Sequence, residues 1–191
     1  MNQKIIIEPW ELKKNWLDSY QSKIWNKIII QNITWHQPMV YVYGKNHIVP
    51  RKIAFLGDKG ITYTYSGITH RAERWPDWFR PLLDKIQSEN NIRFNGCLLN
   101  LYRNGLDKMG WHSDDEPEID ESKPIYSLSL GISRDFFLKH RKLTIKKIIN
   151  LDDGDLLIMH PSCQQNWLHS IPVRKRVSNL RINLTFRCYK I

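Results

Sequence analysis

The sequence predicts an α+β protein that is mainly β, a sandwich-type barrel such as a jelly roll, and three observations predict it. Helical spacing of apolar residues is confined to the first half of the chain. After about Asn91 the chain reads as short strands separated by Gly, Asp, Asn and Pro turns. The 191 residues, 41% hydrophobic and 12% aromatic, suffice for one core, since a chain of this size buries about 70% of its unfolded surface. No internal repeat, linker or low-complexity tract divides it.

Each element follows from its pattern. Trp10, Leu12, Trp16, Leu17, Tyr20, Ile24 and Trp25 recur at helical spacing after Pro9, which predicts one amphipathic helix over Glu8 to Lys27. Met39 to Tyr43 is a β-branched and aromatic run ending at Gly44, a strand. A turn-rich stretch follows through Pro50 and Gly57-Asp58-Lys59-Gly60 to Ile61-Thr62-Tyr63-Thr64-Tyr65, whose alternation puts Tyr63 and Tyr65 on one face. Trp75-Pro76-Asp77 opens a second helix that runs through Ile86 and stops near Asn90-Asn91. The remaining strands are Phe94 to Tyr102, Ile125 to Gly131, Asp135 to His140, Lys146 to Asn150, Asp155 to Met159 and Arg181 to Tyr189.

Composition narrows the function. No apolar run approaches the ~20 residues of a bilayer span. The first residues reach Glu8 and Pro9 after only Ile5, Ile6 and Ile7, too short a run for a secretion signal. Three cysteines, Cys97, Cys163 and Cys188, match neither a disulfide framework nor a zinc ribbon, so a reducing intracellular home is expected: the cytoplasm in a bacterium, the nucleus in a eukaryote. The formal charge of +10 favours a polyanionic partner such as nucleic acid over mere solubility charge.

His112-Ser113-Asp114 sets an imidazole and a carboxylate two residues apart, on one face of an extended strand. His169 follows in Trp167-Leu168-His169-Ser170. Two histidines and one carboxylate occupy one face of an octahedral metal, the pattern of non-haem Fe(II) oxygenases, although His-x-Asp alone also describes a surface histidine beside an aspartate. His36, His47, His70, His140 and His160 have no comparable companion and are expected to be structural or exposed. In Arg181-Ile182-Asn183-Leu184-Thr185-Phe186-Arg187 the even spacing sends Arg181, Asn183, Thr185 and Arg187 to one side and the apolar residues to the other. Two guanidiniums so placed suit a dicarboxylate, and an amphipathic edge strand with solvated arginines is the alternative. Asn100 and Tyr102 likewise share a face.

Taken in order, Asn100-Leu101-Tyr102, His112-Ser113-Asp114-Asp115-Glu116, His169 and Arg181 to Arg187 resemble the motif series of the AlkB Fe(II)/2-oxoglutarate dioxygenases. The resemblance runs from about Tyr41 to Ile191 and includes Gly44-Lys45, Val49-Pro50-Arg51-Lys52, Leu128-Ser129-Leu130-Gly131 and Arg134-Asp135-Phe136. It is similar above all to the branch that repairs alkylated double-stranded DNA. The resemblance implies a double-stranded β-helix, cupin-like, with N-terminal helices packed outside. One domain over residues 1–191 is expected, with helices and a nucleotide-recognition region up to about residue 90 and the catalytic core beyond. It implies Fe(II) on His112, Asp114 and His169 as the catalytic centre. It implies 2-oxoglutarate on Asn100, Tyr102, Arg181, Thr185 and Arg187, O2 as second co-substrate, and oxidative removal of an N-methyl group as formaldehyde, with succinate and CO2.

A base inside a duplex hides its methylated edge and must be flipped out and clasped. Tyr63 and Tyr65, with Thr64 between them, are candidates to line that pocket. Asp115 and Glu116 are candidates to accept hydrogen bonds from a cationic base such as 1-methyladenine or 3-methylcytosine. Tyr43, before Gly44-Lys45, matches a finger that fills the gap in the stack. Basic residues at Lys139-His140-Arg141-Lys142, Lys146-Lys147, Arg174-Lys175-Arg176 and Arg51-Lys52 are candidates for phosphate contacts. After Phe137 to His140 the duplex-acting relatives carry a longer basic loop, which here is only Arg141-Lys142-Leu143-Thr144, so single-stranded DNA, duplex DNA and RNA all stand as substrates. A monomer is expected. The alternatives are the same chemistry on RNA or protein, or a basic nucleic-acid-binding module without catalysis.

Overall fold

The computed structural model describes residues 8–42, 44–65 and 67–190. The chain forms β1 (Trp10–Lys13), α1 (Ser19–Asn32), β2 (Met39–Val42), β3 (Lys45–Ile48), β4 (Lys52–Gly57), β5 (Thr62–Tyr65), β6 (Ile68–Arg71) and β7 (Glu73–Arg74). A 3-10 turn at Asp77–Phe79 then leads into α2 (Arg80–Asn90). The second half is β8 (Gly96–Tyr102), β9 (Met109–His112), β10 (Ile125–Gly131), β11 (Arg134–His140), β12 (Lys146–Leu151), β13 (Leu156–Met159), α3 (Pro161–Asn166), β14 (Trp167–Ile171) and β15 (Arg181–Arg187).

From β8 onward the strands divide between two sheets, antiparallel throughout except where β4 runs parallel to β7. One has the order β1-β13-β10-β15-β8-β4-β7 and the other β12-β11-β14-β9. This distribution of β8 to β15 is a jelly roll, the double-stranded β-helix. Its cause is visible in β15, whose alternation makes both faces useful. Ile182, Leu184 and Phe186 are fully buried against Ile29 of α1 and Leu82, Leu83 and Ile86 of α2. The polar residues between them face the space between the sheets, where Tyr102, Phe136, Leu138, Leu157, Met159 and Trp167 form a second core. Because β15 lies between β10 and β8, it is a central strand and its arginines are buried, which removes the edge-strand alternative.

Three local expectations are corrected. The helix expected over Glu8 to Lys27 is a strand followed by a helix. Asp18 accepts hydrogen bonds from the Tyr20 and Gln21 backbone N–H groups and so starts α1 at Ser19, because an N-cap carboxylate satisfies donors that have no partner in the first turn. The apolar residues ahead of it pair instead with β13, and Trp10 packs edge-on against Trp167 at 5.0 Å. The stretch expected to be turns after Gly44 contains β3 and the buried strand β4, which pairs with β8 along its whole length. The second half holds α3 as well as strands. Through β1, β4 and β7 the first 90 residues and the rest share one sheet. Among the described residues no helix is long and apolar enough to cross a membrane.

Candidate active site

His112 closes β9 and His169 lies in β14, directly opposite in the pairing register. Their ring centroids are 4.2 Å apart at 63°. Asp114 sits just past the end of β9, yet the two-residue step still returns its carboxylate to the histidine side, with Oδ1 3.6 Å from His112 Nε2. One donor atom from each of the three lies within 4.8 Å of the others.

Protonation states follow from the surroundings. Burial, more than any neighbouring charge, pushes His112 below its ordinary pKa and His169 down to about 3. Both rings are therefore neutral at pH 7. His112 Nδ1 lies 3.0 Å from the Gly110 carbonyl, so it carries the proton and leaves Nε2 bare toward Asp114. Burial would push Asp114 up, but the Arg187 guanidinium first, then the two histidines, hold it down at about 2. Arg187 Nη2 donates to Asp114 Oδ2 at 2.8 Å, both side chains being buried. Two neutral imidazoles and an ionised carboxylate form a donor set for a divalent first-row metal, with one face occupied. The buried His169 Nδ1 has no hydrogen-bond partner among the described residues. Buried nitrogens are rarely left so. By their donor chemistry, two neutral imidazoles and one carboxylate within reach of a single ion, the residues fit the metal.

Facing this triad across a shared cavity are the polar faces of β8 and β15. Asn100 and Tyr102 stand opposite Asn183 and Arg181 in the register. Arg181 donates to Ser129 Oγ at 2.9 Å and lies 5.4 Å over the Tyr102 ring. Its Nε is buried and has no hydrogen-bond partner among the described residues. Burial lowers its pKa to about 10, so it remains a cation at neutral pH and seeks an anion. Thr185 donates to Asn183 Oδ1 at 3.1 Å, and Arg51 Nε donates to Asn100 Oδ1 at 2.7 Å. Arg51, read in the sequence as a phosphate contact, is buried and lines the cavity. A dicarboxylate fits this wall.

At the other end of the cavity Tyr63 stacks on His70, with centroids 4.9 Å apart and planes 19° from parallel. His70 was expected to be structural or exposed. No motif marks it, and only the register of β5 with β6 brings it opposite Tyr63. Glu116 also lines the cavity. Burial raises its pKa to about 7, against the pull of Arg187 and with the push of Asp114 and Asp115. Asp115, by contrast, is turned away and accepts from Arg141 Nη2 at 2.9 Å and from Ser113 at 2.7 Å. Thr64 is exposed beside Thr69, and its N–H donates to Glu118. Gly44 and Lys45 form the exposed turn into β3, Gly44 with φ +76°. Tyr43 and the side chain of Tyr65 lie outside the described residues.

Residues 10–187 match the family model described as "2OG-Fe(II) oxygenase superfamily". The chain is 41% identical over 156 residues to "DNA oxidative demethylase ALKBH2" of Mus musculus, covering 78% of this chain and 65% of that protein. It is 34% identical over 169 residues to "Alpha-ketoglutarate-dependent dioxygenase alkB homolog 3" of Homo sapiens, covering 83% and 58%. The chain thus spans roughly three fifths of the length of these relatives. The solved structure of OsALKBH1 superposes with a TM-score of 0.67 at 18% identity, over 95% of this chain and 99% of the other, a likeness of fold.

Proposed function

This chain belongs to the 2OG-Fe(II) oxygenase superfamily, on its AlkB branch, and from that premise we propose that it is a dioxygenase that repairs N-alkylated bases in DNA by oxidative demethylation. The observation that carries the reading is one cavity holding a two-histidine, one-carboxylate face on one wall and a buried, under-satisfied arginine on the other. His112, Asp114 and His169 would hold Fe(II). Asn100, Tyr102, Arg181, Thr185 and Arg187 would surround 2-oxoglutarate. Bound together with O2, iron and 2-oxoglutarate supply the oxidising power to insert oxygen into an unactivated C–H bond, yielding succinate and CO2.

The protein's own residues then bind and orient. Arg181 offers its free Nε and its remaining N–H groups to the carboxylate far from the metal. Arg187 keeps Asp114 ionised. Tyr63, backed by His70, presents an aromatic surface to a flipped base, whose stacking replaces what is lost in the helix. Glu116 supplies a carboxylate whose ionisation a cationic base such as 1-methyladenine or 3-methylcytosine favours, which selects the lesion over the neutral base. The hydroxylated methyl group leaves as formaldehyde. The short 141–145 connection between β11 and β12, with Arg141 engaged by Asp115 and Ser113, supports activity that does not require a duplex. The reading places the protein where DNA is kept, the cytoplasm of a bacterium or the nucleus of a eukaryote.

The test is mass spectrometry of single-stranded DNA, duplex DNA and RNA oligonucleotides carrying either lesion, after incubation with Fe(II), 2-oxoglutarate and ascorbate. Restored base and stoichiometric succinate are expected from methylated DNA. Restored base from RNA alone would move the substrate to RNA, and neither product from any of them would leave a binding module.

A further inference from the structure

Two of the three metal-binding side chains are held by the sheet, because His112 and His169 sit opposite each other on paired strands. The third is not. Asp114 lies beyond the end of β9, and a carboxylate on a loop must be held by something else if it is to meet a metal at the right angle.

The structure shows what holds it. The Asp114 backbone N–H donates to Oε1 of Gln164, on α3, at 3.0 Å in a buried bond. The orientation of that amide is set in turn, since Gln164 Nε2 lies 3.6 Å from Met159 Sδ, an acceptor, which leaves Oε1 for Asp114. Around this bond Arg141 closes a second ring. Its Nη2 donates to Ser113 Oγ, to Asp115 Oδ2 at 2.9 Å and, more weakly, to the Gln164 carbonyl at 3.4 Å. Ser113 and Asp115, on either side of Asp114, are thus tied to Arg141 just past β11 and the Asp114 backbone to α3, while the carboxylate is gripped by Arg187 through Oδ2 and turns Oδ1 toward His112.

We propose that Gln164 and Arg141 form a clamp that orients Asp114 for metal binding, Gln164 through its backbone and Arg141 through its neighbours. Both are positioning residues, for neither side chain reaches the metal-binding atoms. The inference deepens the metal-centre reading and rests on it. It also gives Arg141, an exposed residue that the sequence pattern placed among phosphate contacts, partners within the fold. Partners of metal ligands typically contribute about 10- to 100-fold in metal affinity, and a backbone-held ligand with no strand beneath it depends on them more than His112 or His169 does.

The experiment titrates the full chain with Mn(II), followed by electron paramagnetic resonance of the free ion, in the unsubstituted protein and in Gln164→Met, Gln164→Glu and Arg141→Gln. Gln164→Met keeps the volume and loses the acceptor, and its Kd is expected to rise about 10-fold or more. Gln164→Glu keeps an oxygen on Asp114 N–H and is expected to retain the unsubstituted affinity or better it. Arg141→Gln, at a half-exposed position, is expected to weaken binding several-fold without threatening the fold, so it decides the matter should Gln164→Met not fold. Melting temperatures of the metal-free proteins separate positioning from packing, because a merely structural role lowers them while leaving Kd unchanged. Equal Kd in Arg141→Gln and in folded Gln164→Met overturns the clamp alone. No Mn(II) binding by the unsubstituted protein overturns the metal centre and the clamp with it.

Discussion

Replacing Arg187 by methionine isolates the electrostatics of the metal-free site. Arg187 and Asp114 are both about 4% exposed, with Nη2 and Oδ2 2.8 Å apart. Removing one member of a buried pair leaves a charge in a medium that cannot solvate it, a loss of about 3–5 kcal/mol. The carboxylate limits that loss by taking up a proton, since without Arg187 the largest remaining influence on Asp114 is burial, which pushes its pKa up. In a chain of this size each kcal/mol lowers the melting temperature by about 2–4 °C, so Arg187→Met in EDTA should melt about 6–20 °C below the unsubstituted protein. Saturating Mn(II) brings a new cation to the same carboxylate and should recover a large part of the difference. The further change Asp114→Asn, in EDTA, should add little to the loss, because the charge left unpaired is gone. Urea and thermal denaturation of the three proteins, with and without Mn(II), make the test. A loss below about 1 kcal/mol in EDTA, or one that Mn(II) does not change, would show that Asp114 does not depend on Arg187 and refute the electrostatic account.

Acid should weaken the metal-free protein in two windows. His169 is held at about 3 against its ordinary 6.5, so the unfolded chain binds a proton that the folded chain refuses and stability falls as pH drops below 6.5, by about 2 kcal/mol at pH 5. Asp114, held at about 2, adds its own loss only below the ordinary carboxylate range. Urea midpoints in EDTA that are flat from pH 7 to pH 5 contradict this. For Arg181→Met, 2-oxoglutarate binding measured by calorimetry on the Mn(II)-loaded protein should weaken about 10- to 100-fold, the worth of charge-assisted hydrogen bonds of about 1.5–3 kcal/mol, and unchanged binding would remove Arg181 from the co-substrate wall. Gly105→Ala should destabilise by more than about 2 kcal/mol. A Cβ there would lie 1.8 Å from the Arg174 carbonyl oxygen, in the pairing that ties Gly105 to Arg174 and Val177, and a wild-type urea midpoint would show that the pairing yields freely.

Much of the candidate site was legible because its residues sit at short, regular spacing on strands. The alternation of Arg181 to Arg187 states which side chains share a face, and the structure puts those four on one wall with Asn100 and Tyr102 opposite in register. His112, Asp114 and His169 were legible as a set only through the order of motifs, since nothing local says that β9 and β14 are neighbours. Other features are tertiary in origin. Trp10 and Leu12 have helical spacing, but pairing with β13 and contact with Trp167 outweigh a weak local preference, as tertiary packing commonly does. His70 joins the cavity because a hairpin folds it onto Tyr63. Arg51 turns inward because Asn100 offers an acceptor.

What the sequence by itself determined is therefore the face of each strand, the identity of the chemistry-bearing groups and the sign of the charge, all set by two-residue periodicity and composition. What only the tertiary structure decided is which of those groups are dry. Burial between two sheets keeps His112 and His169 neutral, leaves Arg181 short of partners and ties Arg187 to Asp114. Desolvation is a property of everything packed around a group, and no window of residues along a chain contains it.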